Sequence, residues 1–143
     1  MRDVDSLGMR RVAELALQAV NPRGEKSLHV SFDIDALDPT LARSTGTPVA
    51  GGLTLREAAV LAETVVSTQT LRVLDIVEIN PRLGTPTDVD STMDAAQKVV
   101  TWMLGHRREG RRSDQLSDEI LLKQIRSSTT YPTGALGPNG DLN

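Results

Sequence analysis

The chain has 143 residues, the length of one domain, and its 38% hydrophobic and 24% charged residues are those of a globular protein. The absence of cysteine excludes a disulfide framework, a thiol nucleophile and any zinc site built on Cys. A net charge of −3, with single Phe, Tyr and Trp residues, supplies neither the field nor the stacking platform of a nucleic-acid binder.

From the amino terminus, Leu7, Val12, Leu15, Ala16 and Ala19 keep helical spacing until Asn21-Pro22-Arg23-Gly24 stops them. A period-two segment follows. Leu28, Val30, Phe32 and Ile34 point one way, and His29, Ser31, Asp33 and Asp35 the other, as in a strand with one covered face. His29, in mid-strand, reads as structural. Asp38-Pro39 and the Gly/Pro/Thr-rich run 44–52 form a long loop. Thr54-Leu55-Arg56-Glu57 has the form of a capping box, with Leu53 and Ala58 as its hydrophobic staple, and predicts a helix over 56–67.

Residues 71–79 predict a second strand, nearly continuous in apolar residues and so buried on both faces, with Asp75 in need of a partner. Asn80-Pro81 closes it. Pro86-Thr87-Asp88 opens a third helix that places Met93, Ala96, Val100 and Met103 on one face. Beyond Gly105 the pattern decays. Arg107, Arg108, Arg111 and Arg112 form a basic, solvated helix end, residues 116–125 suit a short amphipathic helix, and 111–143 read as a flexible tail. No apolar run approaches the ~18 residues of a membrane span. The acidic amino terminus lacks the apolar core of a signal peptide, so a cytoplasmic location is expected. The alternation of helix and strand predicts an α/β fold with a parallel sheet.

Chemistry concentrates in carboxylates. Asp33 and Asp35 share one face at the carboxyl end of the first strand, where ligands bind in open α/β sheets. Two carboxylates that close are relieved by a divalent cation with oxygen ligands, Mg²⁺, Ca²⁺ or Mn²⁺. Glu78, at the end of the second strand, faces the same crevice if the strands are parallel. The alternative is that Asp33, Asp35 and Asp38 are turn and cap residues.

The stretch Ser31-Phe32-Asp33-Ile34-Asp35-Ala36-Leu37-Asp38-Pro39, followed by Ser44-Thr45-Gly46-Thr47-Pro48-Val49-Ala50-Gly51-Gly52-Leu53-Thr54, resembles the ureohydrolase family of binuclear manganese enzymes. Val77-Glu78-Ile79-Asn80-Pro81 is similar to arginase rather than agmatinase, and so are residues 1–12 and Arg108-Glu109-Gly110. The resemblance covers 1–110. It implies the carboxyl-terminal part of a parallel-sheet, three-layer α/β/α arginase-like domain, incomplete as a fold, followed by 111–143.

By position, the resemblance makes Asp33 and Asp35 manganese ligands and puts Thr47 and Glu78 on the substrate side. Glu78 suits that role, because a carboxylate accepts paired hydrogen bonds from a guanidinium. The implied reaction is hydrolysis of L-arginine to L-ornithine and urea by a hydroxide bridging two Mn²⁺ ions. The resemblance also implies a homotrimer, with Asp5, Arg56, Glu57 and Arg108 near subunit contacts. Surface charge and capping are the ordinary alternative for those four.

The family's other metal ligands include an Asp-x-His-x-Asp set, and a further histidine shuttles protons. The sequence holds only His29 and His106, neither in such a context. Two aspartates cannot complete two metal sites, since each ion takes about six ligands. The chain is therefore expected to have no catalytic residue of its own and to be inactive alone. A non-catalytic protein associating with full-length arginase, and another ureohydrolase such as agmatinase, are the alternatives. A mitochondrial location stays open, because a transit peptide would lie upstream of the matched region.

Overall fold

The computed structural model describes residues 1–108; the predicted helix over 116–125, the tail 111–143, Arg111 and Arg112 lie outside the described residues. The elements are α1 (Arg2–Leu7), α2 (Met9–Val20), β1 (Leu28–Asp33), a 3₁₀ turn (Ile34–Ala36), α3 (Leu55–Ser67), β2 (Leu71–Val77) and α4 (Pro86–Met103). β1 and β2 pair in parallel, with Val30 opposite Leu74, Phe32 opposite Ile76 and Asp33 opposite Val77. A register irregularity lies between Leu28 and His29.

Each helix has a physical start. Thr54 caps α3 by accepting from the Glu57 N–H, and the Glu57 carboxylate accepts from the Thr54 N–H and hydroxyl. Leu53 and Ala58, the predicted staple, are both buried in the core. Thr85 and Asp88 build a second capping box at α4, with Pro86 in the first turn. Asn21 ends α2, and its side chain bridges the N–H and C=O of Lys26 to fix the turn into β1.

Helices cover one face of the sheet. Phe32 and Ile34 pack with Ala58, Ala62 and Val65 of α3 and Ala95, Ala96, Val99 and Met103 of α4. The alanines let α3 and α4 approach closely, so small side chains rather than aromatics build this core. On the other face, His29 and Ser31 of β1 and Val73, Asp75 and Val77 of β2 are exposed. The described residues thus make two layers, a sheet and its helices, of the three expected.

Several details correct the sequence reading. The amino-terminal helix is two helices, broken at Gly8 with φ 77°, a conformation open to glycine without a Cβ penalty. Its buried residues are Met9 and Ala13, while Leu7, Leu15, Ala16 and Ala19 are exposed. The spacing from Leu7 to Ala19 runs across this break, which rotates the covered stripe. In α4, Met93 is exposed and Val100 half-buried; Thr92, Ala95 and Val99 take the core face. β1 ends at Asp33 and β2 at Val77, two residues early in both cases. β2 is not buried on both faces, because helices cover one side only. Asp75 is accordingly exposed, and its partner is His29, with Nε2 at 2.7 Å from Oδ2.

Candidate active site at the carboxyl ends of the strands

The site begins where β1 stops. Asp33 ends the strand extended, and its side chain accepts from the Asp35 N–H at 3.2 Å, starting the 3₁₀ turn. That turn lifts Asp35 out of strict alternation yet keeps it beside Asp33. Burial raises the Asp33 pKa most strongly, and the nearby Asp35 carboxylate raises it further, while the Asp35 N–H opposes both. A carboxylate made costly to ionise by burial and by a like charge is one that a cation would relieve.

The long loop then folds back over the turn. Leu37 and Leu53 form a parallel bridge, with the Asp38 N–H donating to Leu53 C=O and the Leu53 N–H to Ala36 C=O. Gly52 is required here, since a Cβ would lie 2.6 Å from the Asp38 nitrogen. Asp38 is the loop's staple. One oxygen accepts from the Thr40 N–H and hydroxyl, the other from the Gly51 N–H. These bonds, that of the Thr40 hydroxyl foremost, hold its pKa at about 2. For Asp38 the turn reading is therefore the right one.

The folded loop brings Thr47 to Asp35: its hydroxyl donates to Oδ2 at 2.5 Å. Asp33, Asp35 and Thr47 thus converge, 14 residues apart at the extremes by number (47 − 33). Glu78 follows Val77, the register partner of Asp33, and so sits at the corresponding end of β2. Its φ of 65° is unusual for a residue with a Cβ. Beyond it, the Asn80 side chain accepts from the Arg82 N–H and its carbonyl from the Leu83 N–H, which makes Asn80-Pro81 a tight exit turn.

The donors fit a hard divalent cation in kind, since they are carboxylate and hydroxyl oxygens. They fall short in number. Among the described residues no group of three His, Asp or Glu side chains lies close enough together to hold a metal, Asp33, Asp35 and Glu78 included. Asp33 and Asp35 alone would supply only part of the roughly six oxygen ligands that such an ion takes.

Of the four residues predicted near subunit contacts, Asp5 and Arg56 are exposed. Glu57 is engaged in the α3 cap. Arg108 is not merely a solvated helix end: it makes a two-pronged contact with Glu63, at 2.8 and 2.9 Å. The guanidinium lowers the Glu63 pKa, and Glu63 raises that of Arg108. Sequence reasoning missed the buried polar residues behind the site, Ser44, Thr45 and Thr92. Nothing in their spacing distinguishes them from loop and surface hydroxyls.

The architecture is that of an α/β ligand site, with acids gathered beyond the carboxyl ends of neighbouring parallel strands. Residues 1–105 match the family model described as the arginase family. An arginase from Schizosaccharomyces pombe is 46% identical over 105 residues, which are 73% of this chain and 32% of that protein. The human protein named arginase-2, mitochondrial, is 45% identical over 111 residues, covering 77% of this chain and 31% of its own. The solved arginase from Bacillus caldovelox superposes with a TM-score of 0.65 at 34% identity, over 76% of this chain and 35% of that one. The chain belongs to the arginase family. It spans about a third of the length of the curated relatives it matches.

Proposed function

We propose that this chain carries the second part of an arginase-type active site, for hydrolysis of L-arginine to L-ornithine and urea, and that it does not turn over by itself. The convergence of Asp33, Asp35 and Thr47, with Glu78 at the matching end of the adjacent parallel strand, supports this reading. Asp33 and Asp35 contribute carboxylate ligands to a manganese pair whose other ligands lie outside this sequence. Thr47 holds Asp35 by its hydroxyl and lines the substrate side. The Glu78 carboxylate accepts two parallel N–H bonds from the guanidinium, which orients the carbon to be attacked. The complete enzyme is a homotrimer in this proposal, with Asp5 and Arg56 available at its contacts and Glu57 and Arg108 shaping them. Its compartment is cytoplasmic or mitochondrial. No helix among the described residues is long and apolar enough to cross a membrane.

The deciding experiment measures urea release and bound metal for the purified chain with Mn²⁺ and L-arginine. No turnover and fewer than two tightly held ions per chain are expected. Robust urea production would overturn the proposal.

A second reading is a non-catalytic partner of full-length arginase. It is favoured by the exposed β2 edge, where Leu71, Leu74 and Ile76 line an apolar groove with Val100 and Leu104. Its occupant would be the amino-terminal part of an arginase chain. Co-expression with that part distinguishes the two readings: recovered urea production supports a split active site, and a stable but inactive complex supports the partner role.

A further inference from the structure

Thr92 is fully buried on α4, yet it is polar and lies outside the ligand and substrate residues. Its hydroxyl donates to Asp88 C=O at 2.7 Å, one helical turn back, and accepts from the Ser44 N–H at 3.0 Å. Ser44 is also fully buried, and its carbonyl accepts from the Asn80 N–H at 2.9 Å. Three residues beyond Ser44 the loop presents Thr47, and two residues before Asn80 the chain leaving β2 presents Glu78. One hydroxyl therefore stands behind both arms of the site.

Two further observations concern the same corner. Glu78 has a φ of 65°, and a strained residue keeps such a conformation only when its surroundings hold it. Pairing of Val77 with Asp33 holds the chain just before that residue, and the Ser44–Asn80 bond holds it two residues beyond. In addition, a Cβ on Gly84 would meet the Asp88 side chain at 2.9 Å and Ser44 Oγ at 3.3 Å, so the loop, the exit turn and the start of α4 are packed without slack.

We propose that Thr92 is a positioning residue: through Ser44 it holds the Thr47 loop and the Glu78 turn in register and so sets the gap in which a guanidinium is read. This rests on the arginase-type reading of Thr47 and Glu78. A neighbouring contact, the Ser91 hydroxyl on Leu41 C=O at 2.8 Å, anchors the start of the same loop but does not reach the Glu78 side.

The test compares Thr92→Val, which keeps shape and removes the hydroxyl, with Thr92→Ser, which keeps the hydroxyl and loses a methyl group. Backbone amide resonances and native-state hydrogen exchange are recorded on the full 143-residue chain. Thr92→Val is expected to shift the Thr47 and Glu78 amides and to speed Asn80 exchange by about ten-fold, the equivalent of losing one net hydrogen bond. Amides of β1 and α3 should stay within two-fold, and Thr92→Ser should restore the wild-type pattern. If Thr92→Val does not fold, Thr92→Cys, with its weak acceptor, is measured in its place. Unchanged Thr47 and Glu78 amides, an acceleration spread equally over β1 and α3, or failure of Thr92→Ser to restore the pattern would each overturn the proposal. Urea production by the chain co-expressed with the amino-terminal part of an arginase tests the underlying reading separately. If none is recovered, that reading fails, while the exchange data still decide the role of Thr92.

Discussion

Two neighbouring aspartates respond to pH in opposite senses. Asp38 is fixed by hydrogen bonds to its ionised form, with a pKa of about 2. In the unfolded chain an aspartate titrates near ~3.9, so Asp38 contributes stability above that pH, and the contribution disappears as pH falls from about 4 through about 2. Asp38→Asn should flatten the acid limb of stability in that window, which urea unfolding at stepped pH would reveal. Asp33 runs the other way. Burial raises its folded pKa, so ionisation disfavours the folded state, and the cost appears as pH rises through the folded value. Asp33→Asn keeps an oxygen to accept from the Asp35 N–H, so the metal-free variant should melt higher than wild type at pH 7 and lose that advantage in acid. Equal melting temperatures at neutral pH would show that the carboxylate pair carries no strain. A higher melting temperature for Asp33→Asn is the outcome expected of a carboxylate pair that a bound cation would relieve.

At the scale of elements, each helix start does double duty. The α3 cap closes the long loop, because Thr54 directly follows the Leu37–Leu53 bridge. Thr54→Ala should cost about 1 kcal/mol in a chemical denaturation experiment, the usual loss for a helix cap. A change under ~0.3 kcal/mol would mean that the bridge alone fixes the entry of α3. The α4 cap stands behind the exit of β2 in the same way, with Asp88 held ionised chiefly by the Thr85 N–H. Arg108 ties the end of α4 to α3 through Glu63, across 45 residues. Both side chains are about a third exposed, at 38% and 30%, so solvent screening keeps this pair to about 0.5–1 kcal/mol. Its use is geometric: it holds the last described turn against α3.

For the molecule as a whole, helices cover one face of a two-stranded sheet, and the core depends on few large side chains. Ile34 is fully buried at the point where β1 turns into the site. Ile34→Ala should cost about 2–5 kcal/mol, a large part of the ~5–15 kcal/mol available to an ordinary domain. A cooperative transition shifted by less than ~1 kcal/mol would show that the corner collapses around the cavity. Because Ile34 lies between Asp33 and Asp35, fold stability and site geometry share one residue step. The molecule matches about a third of an arginase fold, and the exposed face of its sheet carries Asp33 at its edge.

Local chemistry was readable in the sequence. The α3 capping box, the covered row Leu28, Val30 and Phe32, the Asn21 stop and the Asp33–Asp35 pair depend on neighbours a few residues apart, and the spacing of those neighbours is written in the chain. The resemblance carried by the stretch from Ser31 to Thr54 likewise pointed to the family that residues 1–105 match. Tertiary structure decided what depends on distant partners. Gly8 divided one apparent helix, because its φ of 77° rotates everything that precedes it. Helices on a single face left Asp75 exposed against His29, 46 residues away. The return of the loop set Thr47 on Asp35, and Thr92 reached Ser44 across 48 residues. Residue type and short spacing decide hydrogen bonds within a turn; which side chains meet across the sheet and loops is decided by packing, and packing has no period in the sequence.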